Sequence, residues 1–212
     1  MILYALISRG KNVLCEVTKF GGNFPTVTRV LLSKINVDID SKMSYIYDGY
    51  IFHYIIDSGM IFMCMCEGDS KKRTSFAFLE DVKSIWRRKY STVEQTAVAF
   101  SMQSEFSDTL TNKIDYYNQN PSADNIDKIR GQLESVREVM CENIEQLLER
   151  GEKLELLVDK TDRLNQSAFK FEKSAKVLKH SMWCRRAKLY GVICFVILVN
   201  FLSAQFSTIP LT

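Results

Sequence analysis

Leu148-Glu149-Arg150-Gly151-Glu152-Lys153-Leu154-Glu155-Leu156-Leu157-Val158-Asp159-Lys160-Thr161 sets a single arginine in the middle of an apolar stripe. Stepping outward from it in alternating threes and fours gives Ile126, Ile129, Leu133, Val136, Met140, Asn143, Leu147, Arg150, Leu154, Leu157, Thr161, Leu164, Ala168, Phe171, Ala175 and Leu178, of which 13 of 16 are apolar. At the chain-wide hydrophobic share of 46% about half that number is expected. The period is that of a coiled-coil seam. A continuous helix over this stretch would be roughly 80 Å long. Such a helix cannot bury its own stripe, so the seam predicts partner helices.

Arg150 is the odd layer. A guanidinium carries five donors and no acceptor, and an apolar layer holds it only at a cost unless those donors are met. One reading is a tolerated polar layer that fixes register. The other is partner choice: identical helices would set like charges together, whereas neutral acceptors such as glutamine carbonyls would satisfy the donors. Asn143 and Thr161 are milder polar layers.

The rest of the chain divides by charge. Residues 1–120 hold 14 basic and 13 acidic residues, 121–172 hold 8 and 12, 173–188 hold 6 and none, and 189–212 hold no charge. The near-neutral total of +3 therefore conceals four regimes, and it gives no case for a nucleic-acid partner. Only three prolines occur, at Pro25, Pro121 and Pro210, which leaves 122–209 free for a long helix.

The first 120 residues read as one compact domain. Ile2–Ser8 and Val13–Thr18 form a hairpin across Arg9-Gly10-Lys11-Asn12. Gly21-Gly22 is a turn, Asn23 is placed to cap a helix that admits Pro25 in its first turn, and Val27, Val30, Leu31 and Ile35 recur on one face. Met43–Tyr47, Tyr50–Asp57 and Met60–Cys66 are strands joined at Asp48-Gly49 and Ser58-Gly59. Helical spacing returns over Thr74–Tyr90 and Ser104–Tyr117. This order predicts an α+β domain, one five-stranded antiparallel sheet with helices on its faces. Asn118-Gln119-Asn120-Pro121-Ser122 reads as a linker, placing domain, linker and seam at 1–118, 119–125 and 126–180.

The uncharged tail is most apolar from Leu189 to Leu202. About 20 helical residues cross a bilayer core, and basic residues in front of the span, including Arg185, Arg186 and Lys188, mark the cytosolic side. A transmembrane tail anchor at 189–208, with a basic juxtamembrane segment at 181–188 and a cytosolic N-terminus, is the expectation. The basic cluster serves as a topology signal and can also attract anionic headgroups. Cys184 beside the membrane is a candidate for palmitoylation, or simply a free thiol. No basic n-region precedes the apolar start, so no secretory signal is expected.

Chemistry-bearing clusters are few. Cys64 and Cys66 face one side of a strand without further ligands and read as buried thiols. His53 reads as a core or edge histidine. No metal site, cofactor site or catalytic constellation is expected, and no enzyme.

The stretch around Arg150 resembles the centre of an R-SNARE motif, most like the longin-type vesicle-associated membrane proteins, the synaptobrevin-like family. Gly21-Gly22-Asn23-Phe24, Tyr50-Ile51-Phe52-His53-Tyr54-Ile55, Phe76-Ala77-Phe78-Leu79 and Ser104-Glu105-Phe106-Ser107 resemble its longin domain. The resemblance implies a profilin-like longin fold, then a long SNARE coiled-coil helix and a C-terminal transmembrane helix. It implies a four-helix bundle in which Arg150 meets glutamines from three target-membrane glutamine SNAREs, driving fusion of endosomal, lysosomal or secretory vesicles. It also implies a longin domain able to fold back on the SNARE motif or to bind trafficking adaptors. The first helix and the Met43–Tyr47 strand would form the groove, with Met43 and Tyr45 as its candidate residues, although both fit equally as plain core. Lys71-Lys72-Arg73 departs from the family, being basic where close relatives tend to be acidic. A tail-anchored coiled-coil tether without fusion activity is the rival reading.

Overall fold

The computed structural model describes residues 1–120, 139–147 and 155–160, all within one compact unit, Met1–Ser167. The fold begins with the hairpin β1 (Ile2–Arg9) and β2 (Asn12–Thr18), followed by the two-residue strand β3 (Gly21–Gly22) and helix α1 (Phe24–Lys34). β4 (Ser41–Tyr47), β5 (Tyr50–Asp57) and β6 (Met60–Glu67) form a meander, and α2 (Lys72–Tyr90) and α3 (Gln103–Gln119) complete the domain. The five long strands are antiparallel neighbours in the order β2-β1-β6-β5-β4. Both meander turns have positive φ at their two central residues, Asp48 (47°) with Gly49 (77°) and Ser58 (50°) with Gly59 (77°). This is the geometry that suits tight hairpins and that glycine tolerates at no steric cost.

Side-chain alternation divides the core into two layers. On one face α2 and α3 cover Ala5, Ile7, Phe62 and Cys64, and Trp86 packs edge-on against Phe106 at 5.1 Å. On the other, α1 covers Leu3, Leu6, Phe52, Met63 and Met65 through Phe24, Val27 and Leu31. Of the helical face read from Val27, Val30, Leu31 and Ile35, Val27 and Leu31 are buried in this layer and Ile35 is half-buried against it, whereas Val30 is half-buried outside that cluster; Phe24, Thr28 and Leu32 complete the buried face.

Two local expectations change. The stretch read as a linker from Asn118 begins as helix: α3 runs to Gln119, and the Asn118 amide donates to Ile2 O (2.9 Å) and accepts from Ile2 N (2.7 Å), tying the helix end to the start of β1. Asn23 makes no side-chain cap on α1. Its amide is used elsewhere.

The larger change concerns the heptad segment. The heptad pattern predicts a continuous helix, but residues 139–147 and 155–160 are not α-helical in this single chain. Cys141–Asn143 forms β7, a sixth strand parallel to β4. Ile144–Gln146 is a single 3-10 turn. Val158–Asp159 forms β8, antiparallel to β3. The physical reason is burial: one helix offers its apolar side chains nothing to pack against, whereas the edge of this sheet offers cover for Val139, Ile144 and Leu156, which lie beside the stripe, together with backbone partners. Of the seam residues only Met140, Asn143, Leu147 and Leu157 are described. Ile126, Ile129, Leu133, Val136, Arg150, Leu154, Thr161, Leu164, Ala168, Phe171, Ala175 and Leu178 lie outside the described residues, as do Cys184, Arg185, Arg186, Lys188 and the tail at 189–208. Among the described residues no helix is long and apolar enough to cross a membrane.

Candidate functional site

The site is the edge and end of the sheet where the two returning stretches, here called the strap, meet the domain. The strap turns around β4 from one core layer to the other. Val139 joins the layer beneath α2 and α3, while Ile144 and Leu156 join the layer beneath α1. The candidate groove residues lie there too. Tyr45 is buried and stacks on Tyr54 at 5.8 Å, Met43 is half-buried, and both belong to the cluster that takes in Ile144 and Leu156. Burial pushes the Tyr45 and Tyr54 phenols up, with Glu142 of β7 adding to the effect, so both hydroxyls stay protonated at neutral pH.

Backbone groups of the strap are met one by one, as a buried edge requires. Ser44 N donates to Met140 O at 3.1 Å, and Lys72 Nζ donates to Val139 O. At the far end Asn23 works as a clamp. Its Oδ1 accepts from Leu157 N (2.8 Å), its Nδ2 donates to Glu155 O (2.7 Å), and its own N–H donates to Leu157 O (3.3 Å). Asp48 Oδ2, carried on the first meander turn, accepts from Leu156 N at 3.0 Å. Gly22 is required by close approach: a Cβ there would lie 2.4 Å from Leu157 O and 2.5 Å from the Phe24 ring. The end of the strap is tied by Lys160 Nζ donating to Glu67 Oε1 at 2.6 Å, which holds the Glu67 carboxyl below the usual carboxylate range.

Behind β4, His53 is 1% exposed, with Nδ1 2.8 Å from Ser44 Oγ and its ring edge-on to Phe76. Burial, with a smaller contribution from Lys72, lowers its pKa to about 3, so the ring is neutral. Cys64 and Cys66 are buried and their sulfurs lie 3.8 Å apart, with Ser75 Oγ 3.2 Å from Cys66 Sγ. Among the described residues no group of three or more His, Cys, Asp or Glu side chains is placed to hold a metal ion.

Asn23, Gly22, Asp48, Lys72, Ile144 and Leu156 do most to hold the strap, and sequence reasoning assigned none of them to it. Asn23 and Gly22 look like helix-start and turn chemistry, and Asp48 like a turn residue. The one available signal was that Ile144 and Leu156 are apolar at positions outside the seam.

A mixed sheet flanked by helices, followed by a heptad segment that returns to its edge, defines the class: a SNARE preceded by a regulatory domain. Residues 14–110 match the longin family, described as a regulated-SNARE-like domain, and residues 125–204 match the synaptobrevin family. Vesicle-associated membrane protein 711 of Arabidopsis thaliana is 44% identical over 188 residues, covering 89% of this chain and 86% of the relative. Vesicle-associated membrane protein 7B of Dictyostelium discoideum is 41% identical over 199 residues, covering 93% and 76%. Vesicle-associated membrane protein 7 of Rattus norvegicus is 33% identical over 198 residues, covering 93% and 90%. The chain belongs to the longin-type R-SNAREs of the vesicle-associated membrane protein 7 kind. Its role is that of a vesicle SNARE in membrane fusion and trafficking, working in complex with other SNAREs. Its relatives are vesicle membrane proteins and SNAREs, which are not enzymes.

Proposed function

We propose that the chain is a tail-anchored vesicle R-SNARE whose longin domain holds the SNARE motif in an assembly-incompetent form until fusion is required. In the open form the seam from Ile126 to Leu178 zippers with three glutamine-SNARE helices of the target membrane. Arg150 forms the central layer, where three glutamine carbonyls satisfy its donors. Layers that close towards Leu178 draw the 189–208 anchor and the opposing membrane together. Arg185, Arg186 and Lys188 sit against the headgroups, and Cys184 is the acylation candidate at that surface.

One observation carries the inhibitory reading. Ile144 and Leu156 are buried in the domain's own core while the backbone around them is extended or 3-10, so the motif cannot be docked and helical at once. Met43 and Tyr45 then act as groove residues, and trafficking adaptors that use this face would compete with the strap.

Full-length chain reconstituted in liposomes and mixed with glutamine-SNARE liposomes tests both parts. Arg150→Glu should lower the lipid-mixing rate, and an unchanged rate removes Arg150 from the central layer. Leu156→Glu should raise the rate, and no acceleration would argue against inhibition by the strap. A tether without fusion activity would give no lipid mixing in any form.

A further inference from the structure

The domain and the partner helices read different residues of the same segment. The strap is anchored by side chains that the seam leaves out, with Val139 9%, Ile144 1% and Leu156 7% exposed. In the heptad frame that puts Arg150 at d, Leu156 is at c, the outward side of a bundle helix, and Ile144 and Val139 fall at e and g. Three of the four described seam residues of the docked strap point elsewhere: Met140 is 60% and Leu157 56% exposed and Asn143 is exposed, whereas Leu147 is half-buried against the α1 layer. Two large apolar side chains at seam positions therefore stand in water while the backbone that carries them is bonded to Ser44 and Asn23.

We propose that Met140 and Leu157 in the closed chain form a toehold for a glutamine-SNARE helix, so that the partner binds first and drives the strap off the domain. This rests on the reading of the chain as an R-SNARE inhibited by its strap. The occupant is fixed by register, since the two residues belong to the stripe that glutamine-SNARE helices bury in a bundle. Domain and partner do not compete for these side chains; they compete for backbone conformation, strand against helix. Partner contacts at Met140 and Leu157 can thus form before those of Ile144 and Leu156 are lost, and the gain offsets the loss stepwise. A closed form that masked its seam would have to open spontaneously before any partner could bind.

The test is kinetic. Full-length chain in nanodiscs is mixed by stopped flow with a preassembled acceptor of three glutamine-SNARE motif peptides. Spontaneous opening is measured separately, by hydrogen exchange at the Leu157 amide. The toehold predicts an association rate that climbs in proportion to acceptor concentration and passes the opening rate by about tenfold or more. Met140→Ala should slow the closed chain about fivefold and the Leu156→Glu chain by less than about twofold, the difference isolating the contact made before opening. A rate that plateaus at the opening rate, or equal slowing in both backgrounds, overturns the toehold and leaves inhibition standing. If Leu156→Glu binds no faster than the parent, the inhibition reading fails, and the toehold with it.

Discussion

The sheet domain and the strap are both folded onto one core, but different contacts hold them. Residues 1–120 bury contiguous layers of large side chains, with Trp86, Phe52, Phe62, Phe76 and Phe106 fully enclosed between sheet and helices. The strap adds Val139, Ile144 and Leu156 to those layers, with Leu147 and Val158 packed at their rim, and is otherwise held by the short β4–β7 and β3–β8 pairings, by hydrogen bonds from Ser44, Asn23, Asp48 and Lys72, and by the surface Lys160–Glu67 pair. Elements with few buried contacts open at low free energy while the core stays intact. The proposed inhibition needs that difference, since the motif would have to detach without unfolding the domain.

The comparison breaks most visibly in the core. Phe76→Ala should destabilise the whole domain by about 3–5 kcal/mol, read by thermal denaturation, and should release the strap only by global unfolding. An effect confined to the strap would mean that the two regions are not separately held.

pH loads the domain. His53 is neutral in the fold and has a pKa of about 3 there, against about 6.5 in the unfolded chain. Below pH 6.5 the unfolded chain binds a proton that the fold refuses, so stability falls with falling pH, by at most about 1.4 kcal/mol per unit, until pH approaches 3. His53→Gln should flatten that slope in denaturant titrations at pH 4 to 7.

On the strap, Asn23→Ala removes the clamp on Glu155 and Leu157 and should weaken docking by about 1–3 kcal/mol. Faster exchange at the Leu156 and Leu157 amides, with an unchanged melting temperature, is the expected pattern. A matching fall in melting temperature would show that strap and domain unfold together.

Lys160→Ala should have the smallest effect. The Glu67 pair lies at the surface, where such contacts are weak and screened by salt. Docking should respond to it at low ionic strength and not at 0.5 M salt.

Much of this could be read directly from residues. Apolar runs bounded by Asp48-Gly49 and Ser58-Gly59 gave strands at the right places, and the helical spacing over Thr74–Tyr90 gave α2, because these patterns act through neighbours in the chain. Resemblance added the longin family and the groove. The clamp was not legible. Asn23 has the same local chemistry whether it caps α1 or holds the backbone of a residue 134 positions away.

Sequence alone determined that residues 126–178 can form a helix with one apolar stripe, because a heptad pattern is a property of spacing. It left open what the backbone does when that stripe is not packed against other helices. Tertiary structure decided this for the described part of the segment. The open edge of β4 supplied strand pairing, Gly22 left room for the Leu157 carbonyl, and the α1 layer had space for Ile144 and Leu156. Helical propensity amounts to a few tenths of a kcal/mol per residue, whereas burying one large aliphatic side chain contributes about 1.5–3 kcal/mol. Where the two disagree, burial sets the conformation, and burial depends on surfaces that only the folded domain creates.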